Sequence, residues 1–213
     1  MVVICSGERV PRNRDQYYPY RQQSDFFYLT GIGQEGFVLF ISPDHPREEY
    51  RELLLMRDQT EKERIWIGPK LTVGEVSALS GISHVRRLDE MDRLIGELVP
   101  AAGTIYFNLP DDPVHQAGIK SLDVRVYHAI ITRYPYLNSA RLSPILTSLR
   151  MIKEPEEVEE IRKACAITAG AFMKALSVIR PGVREYEVEA EIIAEFIRAG
   201  RRAMRSIPSS PVV

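Results

Sequence analysis

Two unbroken apolar runs constrain the fold of this chain more than any other feature. Residues 36–41 read GFVLFI and residues 53–56 read LLLM. A strand with one face in water alternates apolar and polar side chains, so an unbroken run indicates a strand that is covered on both faces. Both runs are therefore predicted to lie in the middle of a sheet that has helices on either side.

Helix and strand signals alternate through the first two thirds of the chain. The TVGE sequence at 72–75 has the spacing of a capping box, residues 89–98 form an amphipathic segment, and the DP pair at 112–113 is typical of a helix start. The strand-like sequence TIYF at 104–107 separates the last two. This order predicts an α/β domain with a parallel or mixed sheet flanked by helices.

From about residue 146 the pattern changes to helices without strands. A long helix is predicted over 154–179, ended by Arg-Pro-Gly, and a second helix over 185–200. Mostly apolar side chains recur along the first helix at spacings of three and four and form one stripe: Val158, Ile161, Cys165, Thr168, Phe172, Leu176 and Ile179. The two helices predict a hairpin whose stripe would pack on a sheet that this chain does not supply.

A dense aromatic and polar block, YPYRQQSDFFYLTG at 18–31, is too specific to be ordinary core filling. Its residue types allow a polar network in which the guanidinium of Arg21, the hydroxyl of Ser24 and the carboxylate of Asp25 fix a loop. A contact between subunits is the alternative role for these three side chains.

Three motifs, in this order, resemble those of the bacterial Xaa-Pro aminopeptidases, the aminopeptidase P family. They are the RQQSDFFYLTG block, with the structural signature Arg21, Ser24, Asp25, Tyr28 and Gly31, the IWIG sequence at 65–68 and the KEPEEV sequence at 153–158. The related prolidases share the last motif and match the first less well. The resemblance spans nearly the whole chain and corresponds only to the front part of that family.

The resemblance implies an α/β domain at 1–147, like the N-terminal domain of creatinase and aminopeptidase P. It further implies that 148–213 is the incomplete start of an α+β catalytic domain with the pita-bread fold, represented by the helical hairpin. In that family the catalytic domain holds two metal ions, usually manganese, on two Asp, one His and two Glu. Those ligands are expected beyond residue 213. Because a helix normally precedes the first strand in the family, the chain is also expected to be trimmed at its front.

No residues in the sequence have the spacing of a metal or nucleotide site. No Asp, Glu, His or Cys follows Glu195, so that stretch cannot hold a hard divalent cation through side chains. The four histidines form neither HxxxH nor HExxH, and the GxSxG, P-loop and GxGxxG motifs are absent. We therefore expect no metal ligand and no catalytic residue here, and no turnover by the chain alone.

Trp66 is the only tryptophan, and its apolar neighbours Ile65 and Ile67 favour a place in the core. The resemblance implies a different place. The matching tryptophan of aminopeptidase P projects from one subunit toward the active-site mouth of a neighbour, where a flat ring suits a substrate that contains proline. Asp15 likewise matches an aspartate that lies near the active site in the family.

Charge and cysteine content bear on partners and compartment. Lys and Arg number 28 against 29 Asp and Glu, so the net charge gives no reason to expect nucleic acid or an anionic membrane as a partner. Cys5 and Cys165 lie far apart without a CxxC motif, and both are predicted to be reduced and buried, as in a cytoplasmic protein. The apolar start is five residues long, too short for a signal peptide or a membrane span.

The leading hypothesis is a metal-dependent Xaa-Pro aminopeptidase-like protein, present as a fragment without its metal ligands, that self-associates through the N-terminal domain. Its full-length substrate would be a peptide with proline at position two. The alternative is a non-catalytic α/β module for oligomerisation or interaction. The two differ at the hairpin, because a fragment would leave the apolar stripe exposed whereas a module would cover it. An unrelated α/β binding domain would require the motif matches to be chance.

Overall fold

The computed structural model describes residues 1–110 and 121–200. The chain divides into two units, Met1–Leu149 and a second unit that starts at Arg150. The predicted helix start at 112–113 and the last thirteen residues of the chain lie outside the described residues. Among the described residues, no helix combines the length and the apolar character that crossing a bilayer requires.

Strands and helices alternate in the first unit, as the sequence predicts. The strands are β1 (Val2–Cys5), β2 (Pro11–Asn13), β3 (Gln16–Tyr17), β4 (Phe37–Ile41), β5 (Glu52–Met56), β6 (His84–Arg87), β7 (Thr104–Phe107) and β8 (Asn138–Arg141). The helices are α1 (Ser24–Thr30), α2 (Glu61–Ile67), α3 (Val73–Ser80), α4 (Met91–Leu98), α5 (Leu122–Arg133) and α6 (Ser143–Met151).

Six strands of the described residues form one mixed sheet in the order β6-β5-β4-β1-β7-β8. The inner strands β5, β4 and β1 are antiparallel, with Ile4 opposite Leu39 and Leu39 opposite Leu54. The outer pairs are parallel. Both unbroken apolar runs lie at the centre of this sheet, which confirms the expectation that they are covered on both faces.

Helices cover the sheet on both faces, because successive side chains of a strand point to opposite sides. One core joins the sheet to α4 and α5 and includes Val3, Cys5, Val38, Phe40, Leu53, Leu55, Leu94, Ile95, Leu98, Val126 and Ile130. The other core joins it to α1, α3 and α6 and includes Ile4, Phe26, Phe37, Leu39, Leu54, Met56, Val76 and Leu146. The predicted α/β class, a mixed sheet flanked by helices, is confirmed.

Among the described residues of the second unit, α7 (Pro155–Val178) and α8 (Glu185–Arg198) contact each other as a hairpin. A proline at the first position starts α7, as the sequence predicts. Lys174 on α7 pairs with Glu191 on α8 at 3.8 Å. Ala171 and Ala175 are the buried residues of α7.

The predicted stripe of α7 is mostly exposed in the described structure. Its large members are exposed, among them Phe172 at 63% and Ile179 at 59%. Cys165 lies on the same stripe and is exposed, so its predicted burial is wrong. Cys5, on the central strand β1, is buried as predicted.

Candidate functional site

Trp66 lies on α2, a short helix that begins with a reciprocal cap. The Thr60 hydroxyl accepts from the backbone N–H of Glu63 at 3.2 Å, and the Glu63 carboxylate accepts from the backbone N–H of Thr60 at 3.0 Å. None of the residues of α2 is buried, and the Trp66 side chain is 78% exposed. The core placement favoured by its apolar neighbours is therefore wrong, because α2 is fixed at its ends rather than by an apolar face.

Hydrogen bonds from one glutamine fix the chain immediately after Trp66. The Gln59 amide donates to the carbonyl of Gly68 at 2.7 Å and accepts from the backbone N–H of Lys70 at 3.0 Å. Gly68 has φ +79°, a backbone region that favours glycine. The exposed ring thus projects from a segment held at both ends.

Asp15 lies in the turn between β2 and β3 and is exposed. The preceding Arg14 has φ 48°, an unusual value for a residue with a side chain. Exposed aromatic rings follow this turn at Tyr17 and Tyr18. Asp15 and Trp66 therefore occupy separate surface elements of the first unit.

The signature residues lie in and around α1. Arg21 and Ser24 are exposed, and the Asp25 carboxylate accepts from the Gln23 amide at 3.1 Å. Tyr28 is half-buried. Gly31 ends the helix with φ +67°, where its backbone N–H donates to the carbonyl of Phe27.

Two glutamines that the sequence analysis passed over hold this block together. The Gln22 amide oxygen accepts from the backbone N–H of Gly7 at 2.6 Å and from that of Gln23 at 2.9 Å. Its nitrogen donates to the carbonyls of Ile32 at 2.9 Å and Gln34 at 2.7 Å. The side chain of Gln23 caps α1 by accepting from Phe26 N–H at 2.6 Å. Backbone groups of a loop that have no partner in a helix or sheet need side-chain donors and acceptors. Two adjacent glutamines beside a loop are the sequence signal that could have indicated this role.

A small polar cavity of about 100 Å³ lies beside the last residue of α2. Ile67 forms part of its wall together with Arg9, Tyr20, Glu35 and Lys70. The Glu35 carboxylate is 3.4 Å from Arg9 Nε and 3.9 Å from Lys70 Nζ. Two cations and one carboxylate therefore share one partly enclosed space.

A buried acid lies elsewhere in the first unit, at the start of α5. The Asp123 carboxylate accepts from the backbone N–H of Cys5 at 2.9 Å. Burial raises the pKa of this carboxyl to about 7, the hydrogen bonds from Cys5 oppose the rise, and the negative charge of Glu8 adds to it. An acid in the first turn of a helix usually faces water, so no local sequence pattern predicts this burial.

Within the described part of the chain, no group of three or more His, Cys, Asp or Glu side chains is placed to hold a metal ion. We assign no metal ligand to any described residue. The chemistry that the first unit offers is that of an exposed aromatic ring beside a charged cavity.

Two protein families match consecutive parts of the chain. Residues 1–106 match "Aminopeptidase P, N-terminal domain" and residues 159–212 match "Metallopeptidase family M24". The fold and these matches define the class: an aminopeptidase P N-terminal domain followed by sequence of an M24 metallopeptidase domain. Together the two matches cover three quarters of the chain and, with the relatives below, support membership of the aminopeptidase P family.

Curated relatives and solved structures agree with this class. The Xaa-Pro aminopeptidase of Escherichia coli (strain K12) is 28% identical over 210 residues, covering 94% of this chain and 45% of that protein. The structure of proline aminopeptidase P II from Yersinia pestis has a TM-score of 0.79 at 26% identity, covering 94% of this chain and 46% of that one. Zn-substituted E. coli aminopeptidase P in complex with product has a TM-score of 0.77 at 29% identity and the same coverage. The chain spans less than half the length of these relatives.

Proposed function

We propose that this chain supplies the N-terminal domain, at 1–147, and the start of the catalytic domain, at 148–213, of a metal-dependent Xaa-Pro aminopeptidase. Such an enzyme releases the N-terminal residue that precedes a proline. The order of the two family matches and the Xaa-Pro aminopeptidase relatives support this proposal. A cytoplasmic location is part of it, in keeping with two free cysteines.

The exposed ring of Trp66 is the observation that supports a role in substrate binding for a residue of this chain. We propose that Trp66 contacts the proline ring of a peptide at the active site of a neighbouring subunit, with Asp15 also near the substrate. A ring that is 78% exposed on a helix fixed at both ends suits a contact outside its own domain. Self-association through the first unit is part of this proposal. We propose that the block around α1 supports this contact between subunits. Its shape depends on the signature residues Arg21, Ser24, Asp25, Tyr28 and Gly31.

The metal ions of the proposed enzyme are two divalent ions, for which we propose manganese. When bound, they would polarise the scissile carbonyl and activate water. The described residues of this chain provide no cluster that could hold them. The proposed role of this chain is instead to form the N-terminal domain and to place Trp66 on its surface.

The 213-residue chain alone is expected to show no manganese-dependent hydrolysis of an Xaa-Pro-Xaa peptide such as Ala-Pro-Ala. Its metal content after purification should be well below one ion per chain, because no metal ligands are assigned to it. Product release by chromatography and metal content by mass spectrometry check this on one sample, with the full-length E. coli relative as the active control. Turnover and stoichiometric metal that both co-purify with the chain would show that the proposed division of roles is wrong.

Replacing Trp66 with alanine is expected to lower kcat/KM for Xaa-Pro peptides about tenfold in an active chimera. The chimera joins this chain to the part of the E. coli relative that its match does not cover. Loss of one aromatic contact is worth roughly 1.4 kcal/mol, which is about a factor of ten. Ile65→Ala is the matched control, because Ile65 is as exposed as Trp66, at 78%.

Mixing a weakened and an inactive chimera tests whether the ring acts across subunits, and activity above that of the Trp66→Ala chimera alone counts as recovery. One carries Trp66→Ala and the other has a metal ligand of its E. coli part replaced. Recovery of activity on mixing is expected, since an intact metal site in one subunit would then meet an intact Trp66 from the other. Equal losses for the Trp66 and Ile65 variants, or no recovery on mixing, would contradict the proposed role.

The two readings differ at the stripe of α7, which its hairpin partner α8 leaves exposed. Phe172, Leu176 and Ile179 are each more than half exposed in the described structure. Burial of such side chains is worth about 1.5–3 kcal/mol each, so a self-contained module would be expected to cover them.

A further inference from the structure

We propose that the cavity beside Ile67 binds a carboxylate group, held by Arg9 and Lys70 with Glu35 as their internal counter-ion. The cavity of about 100 Å³ has room for roughly three waters, at about 30 Å³ each, or for one group of that size. A carboxylate on a short stem fits this space.

Two hydrogen-bond donors in this cavity have no acceptor. Arg9 Nε and Lys70 Nζ are both buried and make no hydrogen bond. Their distances to Glu35 Oε1, 3.4 Å and 3.9 Å, are those of ion pairs rather than of good hydrogen bonds. The Lys70 side chain is only 11% exposed, so solvent reaches its amino group poorly. A ligand oxygen placed between the two nitrogens would supply the missing acceptor.

The charges favour an anion of one negative charge. Arg9 and Lys70 carry two positive charges, and Glu35 carries one negative charge. The Glu35 carboxylate also accepts a hydrogen bond from the Arg9 backbone N–H at 3.0 Å. Burial, and next the positive charge of Arg57, lower the pKa of Lys70, so an added anion would stabilise its charged form. Burial raises the pKa of Tyr20, which therefore stays neutral and adds no negative charge.

The walls favour a carboxylate over inorganic phosphate. Ile67 and Pro69 provide apolar surface beside the charged groups. That surface suits the carbon stem of a carboxylate, whereas a second negative charge on phosphate would meet the carboxylate of Glu35. The site therefore selects a monoanion with a small apolar end.

Acetate is the probe for this site, at constant ionic strength with acetamide and chloride as controls. Saturation-transfer NMR on the acetate methyl group detects binding without relying on any protein signal. Fluorescence of Trp66, the only tryptophan and the residue before Ile67, provides a second readout. We expect saturable binding of acetate and none of acetamide.

Variants assign the binding to the cavity. Lys70→Gln and Arg9→Gln should each weaken acetate binding at least tenfold, and Lys70→Arg should retain it. Lys62→Gln is the matched control, because Lys62 is exposed on α2 and is not part of the cavity wall. Circular dichroism and thermal melting confirm that each variant is folded. The proposal would be overturned by unchanged acetate binding in Lys70→Gln or by equal binding of phosphate. It would also be overturned if acetate showed no saturable binding, because the cavity would then hold only water.

A peptide identifies the source of the carboxylate, and only this step rests on the proposed function. Ala-Pro-Ala with a free C-terminus is compared with its C-terminal amide in competition with acetate. Competition by the acid alone makes the terminus of a short peptide the ligand. Acetate binding without competition by either peptide keeps the carboxylate site and separates it from the peptidase proposal.

Discussion

Gln22→Ala is expected to lower the free energy of unfolding by about 3 kcal/mol. The Gln22 amide makes four hydrogen bonds to backbone groups of the segments before and after α1. Each such bond contributes about 0.5–1.5 kcal/mol net, and removing the amide leaves partly buried backbone groups without a partner. Urea unfolding followed by circular dichroism measures the change, because the midpoint shifts while the slope stays the same.

Two further variants separate the hydrogen bonds of Gln22 from the loss of a glutamine as such. Gln16→Ala alters an exposed residue of β3 and should change the unfolding free energy by no more than about 0.5 kcal/mol. Gln22→Glu keeps the two acceptor contacts but sets a carboxylate oxygen against the carbonyls of Ile32 and Gln34, so it should not restore the stability lost in Gln22→Ala. If Gln22→Ala costs no more than Gln16→Ala, the amide does not hold the block.

Stability is expected to fall as the pH rises from about 4 to about 7, and Asp123→Asn is expected to remove most of that fall. The folded pKa of Asp123 is about 7 against an ordinary 3.8, because burial disfavours the charged carboxylate. The folded protein therefore holds a proton that the unfolded chain releases, so the contribution is fully present below pH 3.8 and is lost as the pH rises to 7. The difference corresponds to on the order of 4 kcal/mol.

The asparagine variant isolates this effect because its side-chain oxygen can still accept from Cys5 N–H. Unfolding free energies of the parent and the variant should agree near pH 4 and diverge by up to about 4 kcal/mol at pH 8, with the variant more stable. Among the described residues, the other ionisable groups near this acid include the Cys5 thiol, Glu8 and Arg125, which pairs with Glu8 at 2.6 Å. Parallel pH profiles for the two proteins would mean that ionisation of Asp123 does not lower the free energy of unfolding.

The sequence predicts the sheet well because its strands carry their own signal. The runs at 36–41 and 53–56 contain no polar residue that could face water, which leaves a central position as the physically reasonable one. The hairpin follows from Pro155 and from the Arg-Pro-Gly stop after α7 by the same local logic. Local signals suffice where one stretch of chain decides its own environment.

Side chains whose environment is set by distant residues are the ones that the sequence does not predict. The apolar neighbours of Trp66 indicate burial, yet the capping contacts and Gln59 hold α2 in place without it. The stripe that includes Cys165 looks like a buried face, and its exposure depends on what packs beside α7. The environment of Asp123 depends on Cys5, 118 residues away along the chain. No local pattern carries such information.

Because β1 lies at the centre of the sheet, it cannot complete its pairing until a much later strand has been synthesised. Val2 and Val3 of β1 pair with Tyr106 and Phe107 of β7, about 100 residues later. Ribosomes add about 5–20 residues each second, so β1 waits roughly 5–20 s for its neighbour β7 to be made. Throughout that interval one edge of an apolar strand is open to other nascent chains. Proteins that shield such edges on emerging polypeptides should therefore affect the yield of this chain more than its final stability.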